Sequence, residues 1–456
     1  MLVDNSSLMS IAIVTGVVVT AIILPIFLKW PWLTVFLPWT IPVFKAYLLR
    51  YVPISRVIDI SVLIFAFLIV FLGVGFLLRK LVWDKRYTLL LFLHFAVVAI
   101  LSLSYSWTTA PSYGGRKLGL FAIFNTISFV LGASVIRSVA DARKVAKGYG
   151  LFALLFGIVM IVTPSYTFAS EYQLRQTIGG TSPLNAAFTL AIGATCGLIW
   201  FTGKNLFMTI LSGVIWILSL VGINRAGARA SLVQVLTGTV MISLFYKGLH
   251  RKSRIVLVCL VLILGVTVGI PIITAQGPSR ITSFLQDPSR VFLENERFYL
   301  WAQALAGVPE KPVFGHGVGA FASNVMGQDK SAFPHNFFIE VLYEGGLLSF
   351  IFFVLFWFFV VFYMFSWRRS IPENGVLGDL YVRDLWIVIF FSAALGSVFH
   401  WDISGQRLLW LLAGIMLGTT RACWQEAMFQ WQYDEEYYYL ADTQAESETD
   451  VSVVHI

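Results

Sequence analysis

Long uncharged runs, separated by short charged connections, repeat along the chain from residue 11 to residue 417. A run of about 20 apolar residues is long enough to cross roughly 30 Å of hydrocarbon as a helix. The pattern predicts twelve spans, near 8–28, 58–78, 87–105, 118–136, 147–163, 183–201, 206–223, 230–246, 255–275, 337–365, 385–400 and 408–421. That is the pattern of an all-α, polytopic integral membrane protein. The stretch 30–53 is also apolar but carries Pro31, Pro38, Pro42 and Pro53, which suits an interfacial or re-entrant piece.

Composition agrees. Of 456 residues, 58% are apolar and 12% charged, with a mean hydropathy of +0.80. Soluble domains carry about 25% charged residues, so a cytosolic enzyme, a secreted disulfide scaffold and a soluble nucleic-acid binder are excluded. The net charge of +8 first reports orientation. The connections 79–86, 137–147, 202–205, 247–254 and 366–383 hold 16 Lys/Arg in 49 residues; the alternate ones hold 11 in 105. Dense and sparse connections alternate, as the positive-inside rule requires, and twelve spans then place both termini in the cytoplasm. The expected home is the cytoplasmic (inner) membrane. Residues 1–421 form the expected membrane domain, and the acidic tail 422–456 is expected to be a disordered cytoplasmic end. Cys196, Cys259 and Cys423 lie too far apart to suggest a disulfide framework or metal knuckle.

One connection stands apart. Residues 276–336 make 61 residues on the charge-sparse, extracytoplasmic side, and long connections of this kind are usually functional. Within it, 294–307 has helical spacing (Phe298, Trp301, Leu305) and ends at Gly307 before Pro309, which predicts a short helix capping the membrane domain. A Gly-rich turn, GHGVG, follows at 315–319.

The same side collects Arg175, Arg225, Arg229, Arg297, His316 and His335. Arg225 and Arg229 would share a face if one helix ran through them. Guanidinium groups keep their charge and match phosphate geometry, although two loop arginines would equally serve as headgroup anchors. His335 stands where the long loop re-enters the membrane, within reach of water and lipid, as a general base needs; taken alone it would more often be structural. His316 is the weaker candidate, and His94, inside a span, reads as packing. The sequence has no Walker loop, no dinucleotide motif after a strand and no metal-ligand spacing, so no cofactor or metal is expected and arginines would have to neutralise phosphate charge.

These residues resemble a known family. The stretch 296–321, ERFYLWAQALAGVPEKPVFGHGVGAF, followed by PHNFFIEVLYEGGLLS at 334–349, looks like the signature region of the O-antigen ligase and polymerase superfamily. The matching positions are Arg297, Trp301, Pro312, Gly315, Gly317, His335, Asn336, Glu344 and Gly346. GGTSPLN at 179–185, which includes Asn185, and ARASL at 228–232 resemble two further family stretches; Ala228 replaces the usual Ser, and Leu184 intervenes before Asn185.

The resemblance implies a C-type glycosyltransferase-like architecture with a large extracytoplasmic catalytic loop, 276–336. It implies metal-independent transfer of a polyprenyl-diphosphate-linked glycan to an acceptor hydroxyl at the outer membrane face, with inversion at the anomeric carbon. Arg229 and Arg297, with Arg175, would hold the diphosphate, and His335 would activate the acceptor; Arg225 joins the diphosphate set on the residue reading alone. The implied partners are the lipid-linked glycan, a glycan or lipid acceptor and membrane lipid, without nucleic acid. Ligation to a surface lipid such as lipopolysaccharide and polymerisation of repeat units stay open, as does, from another class, a non-catalytic lipid or polysaccharide transporter.

Overall fold

The computed structural model describes residues 20–41, 59–162, 165–170, 173–177, 182–201, 205–245, 296–370, 377–398 and 402–451. Two short helices, α1 (Thr20–Lys29) and α2 (Pro31–Ile41), meet at 117°. Pro31 opens the second with a 3-10 turn, so the chain bends at the first proline of the 30–53 stretch.

The main body begins with α3 (Ile60–Leu77), α4 (Lys85–Ser104), α5 (Pro111–Leu120) and α6 (Thr126–Val135), the last two joined through a π turn, Phe121–Asn125. It continues through α7 (Val139–Val162), α8 (Pro183–Gly197), α9 (Leu206–Arg225) and α10 (Arg229–Phe245). After residue 295 come α11 (Glu296–Gly307), α12 (Ala320–Met326), α13 (Phe337–Arg369), α14 (Leu377–Ser397) and α15 (Arg407–Val451). A small antiparallel hairpin, β1 (Ser165–Ser170) with β2 (Gln173–Thr177), departs from the all-α expectation. Its Tyr, Thr and Phe residues favour strand, and the segment lacks an apolar helical stripe.

Among the described residues, eight helices are long and apolar enough to cross a membrane, or nine if α1 and α2 make one broken span. The chain is a multi-pass membrane protein. The twelve spans expected from sequence are not all described: 255–275 and most of 8–28 lie outside the described residues. Helix α10 follows its expected span but is too short for that count. Lipid-facing positions carry exposed apolar side chains such as Leu77, Phe92, Ile210 and Phe358, whereas α8 and α14 are mostly enclosed by protein.

Glycine sets the closest helix approach. A Cβ on Gly132 would lie 2.4 Å from the Leu411 carbonyl oxygen, and one on Gly414 would lie 2.4 Å from that of Phe129. Backbone-to-backbone contact of α6 with α15 is how helices associate where lipid removes the hydrophobic drive. The tail departs from expectation: α15 runs on to Val451, because the chain from Thr419 to Val451 contains neither glycine nor proline to stop it.

Candidate functional site

The 33-residue helix α13 is broken near its start, where Gly346 adopts φ +67° and ψ −173°. A break inside an apolar helix frees backbone groups that need partners. The Gly-rich loop supplies them. His316 N–H donates to the Tyr343 carbonyl (2.9 Å) and Gly317 N–H to that of Glu344 (3.0 Å), while the N–H groups of Leu347 and Leu348 donate to Pro312 (2.8 Å) and Val313 (3.2 Å). Loop and broken helix fit backbone to backbone. A Cβ on Gly346 would meet the Val313 oxygen at 2.3 Å, and one on Gly315 (φ +70°) the Glu344 oxygen at 2.4 Å. The two glycine motifs are thus two halves of one joint.

The joint is seated on the α4–α5 corner. Trp107 Nε1 donates to the Gly315 carbonyl (3.1 Å), Thr108 Oγ1 to that of Val318 (2.7 Å), and Val318 N–H to Ser104 Oγ (3.1 Å). Further along, the Asp329 carboxylate accepts from the N–H groups of Ser112 (2.9 Å) and Tyr113 (2.8 Å) at the start of α5. Those bonds, the Tyr113 one foremost, hold its carboxyl below the ordinary aspartate range. His316 is buried, with Nε2 2.8 Å from the Gly307 carbonyl and its ring stacked on Tyr343 (centroids 4.4 Å, 14°). Its role here is packing.

His335 is half-buried beside Phe333 (ring centroids 4.5 Å). Its φ of +56° lies in the left-handed region, which is sparsely populated by residues other than glycine. Both neighbours fix it there. The Pro334 carbonyl accepts from Trp301 Nε1 at 2.6 Å, and Asn336 caps α13 by accepting from Phe338 N–H (3.0 Å) and Ile339 N–H (3.2 Å). Arg297, half-buried, precedes Trp301 by one helical turn on α11 and shares its face. The sequence-derived set Arg297, Trp301, Gly315, Gly317, His335, Asn336 and Glu344 is therefore gathered about the first turns of α13.

The remaining candidates stand on a second group of helices. Arg225 and Arg229 do not share one helix: Arg225, exposed, ends α9 and Arg229 opens α10, with a tight turn between them. Gly227 takes φ +65° in that turn, which is why the helix cannot run through. Gly222 lies against Leu190 and Gly197 against Ile215, an antiparallel register that sets half-buried Asn185 level with the turn. β2, which carries Arg175, packs against α8.

The two groups face the same end of the bundle. Gly396, near the end of α14, lies against Gln234 one turn and a half into α10. Gln406 Nε2 donates to the Ser397 carbonyl (3.1 Å), and Ile403 N–H donates to Glu340 Oε2 (2.9 Å) near the start of α13. Contacts thus run from the Arg229 helix, through the α14–α15 turn, to the segment that follows His335.

Sequence reading missed a buried charge cluster beneath this end. Lys117 of α5 donates to both Glu344 oxygens (2.7 Å each) and pairs with Glu340; all three side chains are nearly inaccessible. Tyr113 Oη donates to Asp402 Oδ2 (2.8 Å) alongside. Removing one member of a buried pair typically costs about 3–5 kcal/mol. Glu344 is therefore occupied in holding α5 to α13. The signal was present as two glutamates four apart in an apolar run, but Lys117 stood one residue before the span as read from hydropathy. Among the described residues, no group of three or more His, Cys, Asp or Glu side chains could hold a metal ion.

The fold defines a multi-pass membrane protein whose conspicuous polar residues converge at one end of its helices. Residues 214–354 match the family described as O-antigen ligase, a segment that contains Arg225, Arg229, Arg297, His335 and Glu344. The match supports likeness to an O-antigen ligase-like superfamily over that segment. An uncharacterized protein of Haemophilus influenzae is 26% identical over 189 residues, which are 38% of this chain and 47% of that protein. The chain thus spans about half the length of this relative. Among solved structures, a chain from one described as "Structural coordination of polymerization and crosslinking by a peptidoglycan synthase complex" superposes with a TM-score of 0.41 at 15% identity, over 73% of this chain and 98% of that one.

Proposed function

We propose that the protein transfers a glycan from a polyprenyl diphosphate to an acceptor hydroxyl at the outer face of the cytoplasmic membrane, without metal, in the manner of an O-antigen ligase. The observation that carries this reading is the gathering of arginine-bearing elements and His335 at one end of the bundle, within or beside the family-matching segment. In the proposed step, His335 takes the proton of the acceptor hydroxyl. The oxygen attacks the anomeric carbon from the face opposite the leaving group, and the bond to the diphosphate oxygen breaks with its electron pair. Arg229 and Arg297, assisted by Arg175 and Arg225, neutralise the charge that grows on the diphosphate. One displacement inverts the anomeric centre.

His335→Ala, purified in detergent and normalised to folded protein, tests the reading with a polyprenyl-diphosphate oligosaccharide as donor and unmodified acceptor lipid from a deletion strain. The expectation is retained donor binding with transfer lowered ~10²–10⁴-fold. Turnover above about a tenth of wild type would sink the assignment of the base. Glycan length in the deletion strain decides the reaction: unlinked long chains mean ligation, and single capped repeats mean polymerisation. A cysteine at Gln328 that reacts with an impermeant thiol reagent in intact spheroplasts supports the outer placement, and labelling only after membrane rupture overturns it.

A further inference from the structure

The residues between Asn336 and Gly346 form a half-helix of their own, set off from the rest of α13 by the glycine break. Three attachments hold it. Trp301 fixes the carbonyl of Pro334 before its start, and the Gly-rich loop takes the carbonyls of Tyr343 and Glu344 at its end. Along its flank, Lys117 reaches Glu340 and Glu344, which share one face at a spacing of four. Glu340 is the fuller link, because its second oxygen accepts from Ile403 N–H, tying the same turn to the α14–α15 connection. Tyr113 and Asp402 face the lysine from α5 and that connection, with the ammonium 5.4 Å from the Tyr113 ring centre.

Glu340 N–H donates to the Asn336 carbonyl (2.9 Å), one helical turn back at the cap of this segment, and His335 directly precedes that cap. A fixed charge pair in the flank of so short a segment sets its rotation and height, and with them the place of the imidazole. We infer that Lys117 and Glu340 are positioning residues for His335, a reading that rests on His335 being the base. Neither residue lies among those singled out by sequence, and Lys117 lies outside the family-matching segment. Small displacements of a reacting group are costly to rate: a shift of about 1 Å can lower it by ~10².

The test is a double-mutant cycle on transfer by the purified full chain, with the same donor and acceptor lipids. Glu340→Gln leaves Lys117 paired one to one with Glu344 and still offers an oxygen to Ile403. The expected result is kcat lowered about 10- to 100-fold with KM for donor changed less than about twofold. In a His335→Ala background the same substitution should then lower the residual rate by less than about twofold, because the group it positions is gone. An equal loss in both backgrounds, or a lowered melting temperature with kcat per folded molecule intact, overturns the inference. Lys117→Arg, which keeps the charge but replaces a point ammonium with a planar fork, carries the same cycle if Glu340→Gln accumulates poorly. Turnover of His335→Ala alone above about a tenth of wild type refutes the base assignment, so that failure is read from a different arm.

Discussion

Trp301 donates its indole N–H to the carbonyl of Pro334 at 2.6 Å, one residue ahead of His335. This bond joins the helix of Arg297 to the segment of the proposed base. Trp301→Phe keeps the ring but removes the donor, leaving the buried Pro334 carbonyl without it. A hydrogen bond of this kind is worth about 0.5–1.5 kcal/mol net, so transfer should fall roughly 2- to 10-fold while expression holds. Unchanged turnover would mean the two elements are held by packing alone.

Gly346→Ala and Gly327→Ala compare a glycine that combines close approach with ψ −173°, a region open essentially to glycine alone, and one in open space with ordinary left-handed backbone (ψ +19°). Both positions have φ +67°, yet a Cβ at Gly346 meets backbone at 2.3 Å and one at Gly327 meets nothing within 4 Å. Left-handed backbone costs an L-residue roughly 1–2 kcal/mol, the whole penalty expected at Gly327. Gly346→Ala must also push the loop out of the helix break, and its melting temperature should fall well below that of Gly327→Ala. Equal losses would refute the joint.

Asp329 caps α5 with a carboxylate whose pKa lies below the ordinary value. The sign follows: the folded form binds its proton less readily than the unfolded chain, so the contribution is fully present above the unfolded carboxylate range. It disappears as pH falls through that range to the lower folded value. Melting of the wild-type protein in detergent should therefore lose more on acidification than melting of Asp329→Ala, which should already be lower near neutral pH. Parallel acid profiles for the two proteins would show that the cap is not felt.

Arg297→Lys and Arg229→Lys preserve charge but not the bidentate fork suited to diphosphate. If both grip the leaving group, each should lose ~10²–10³ in transfer rate at normal abundance. Near-normal rates in both would leave these arginines as structural or headgroup anchors.

Much of this was legible in the chain because a lipid solvent makes hydropathy decisive: α3, α4, α8, α9 and α13 begin within a few residues of where the pattern puts them. The helix expected at 294–307 is α11, and its stop is the Gly307 that precedes Pro309. Other features needed three dimensions. Hydropathy starts a span at Leu118, whereas α5 begins at Pro111 because Asp329, more than two hundred residues later, caps it. The break in α13 is invisible to periodicity, since the loop that stabilises it is remote from Gly346 in helical register. The turn between Arg225 and Arg229 hung on the conformation of Gly227 alone.

The break at Gly346 also settles a question of length. An unbroken helix of 33 residues would extend ~50 Å, well beyond the ~30 Å of hydrocarbon. From Leu347 to Arg369 the straight part extends ~35 Å, close to that thickness. The turns before the glycine, with Glu340 and Glu344 on them, are the surplus beyond that thickness, and the break lets them take a direction of their own.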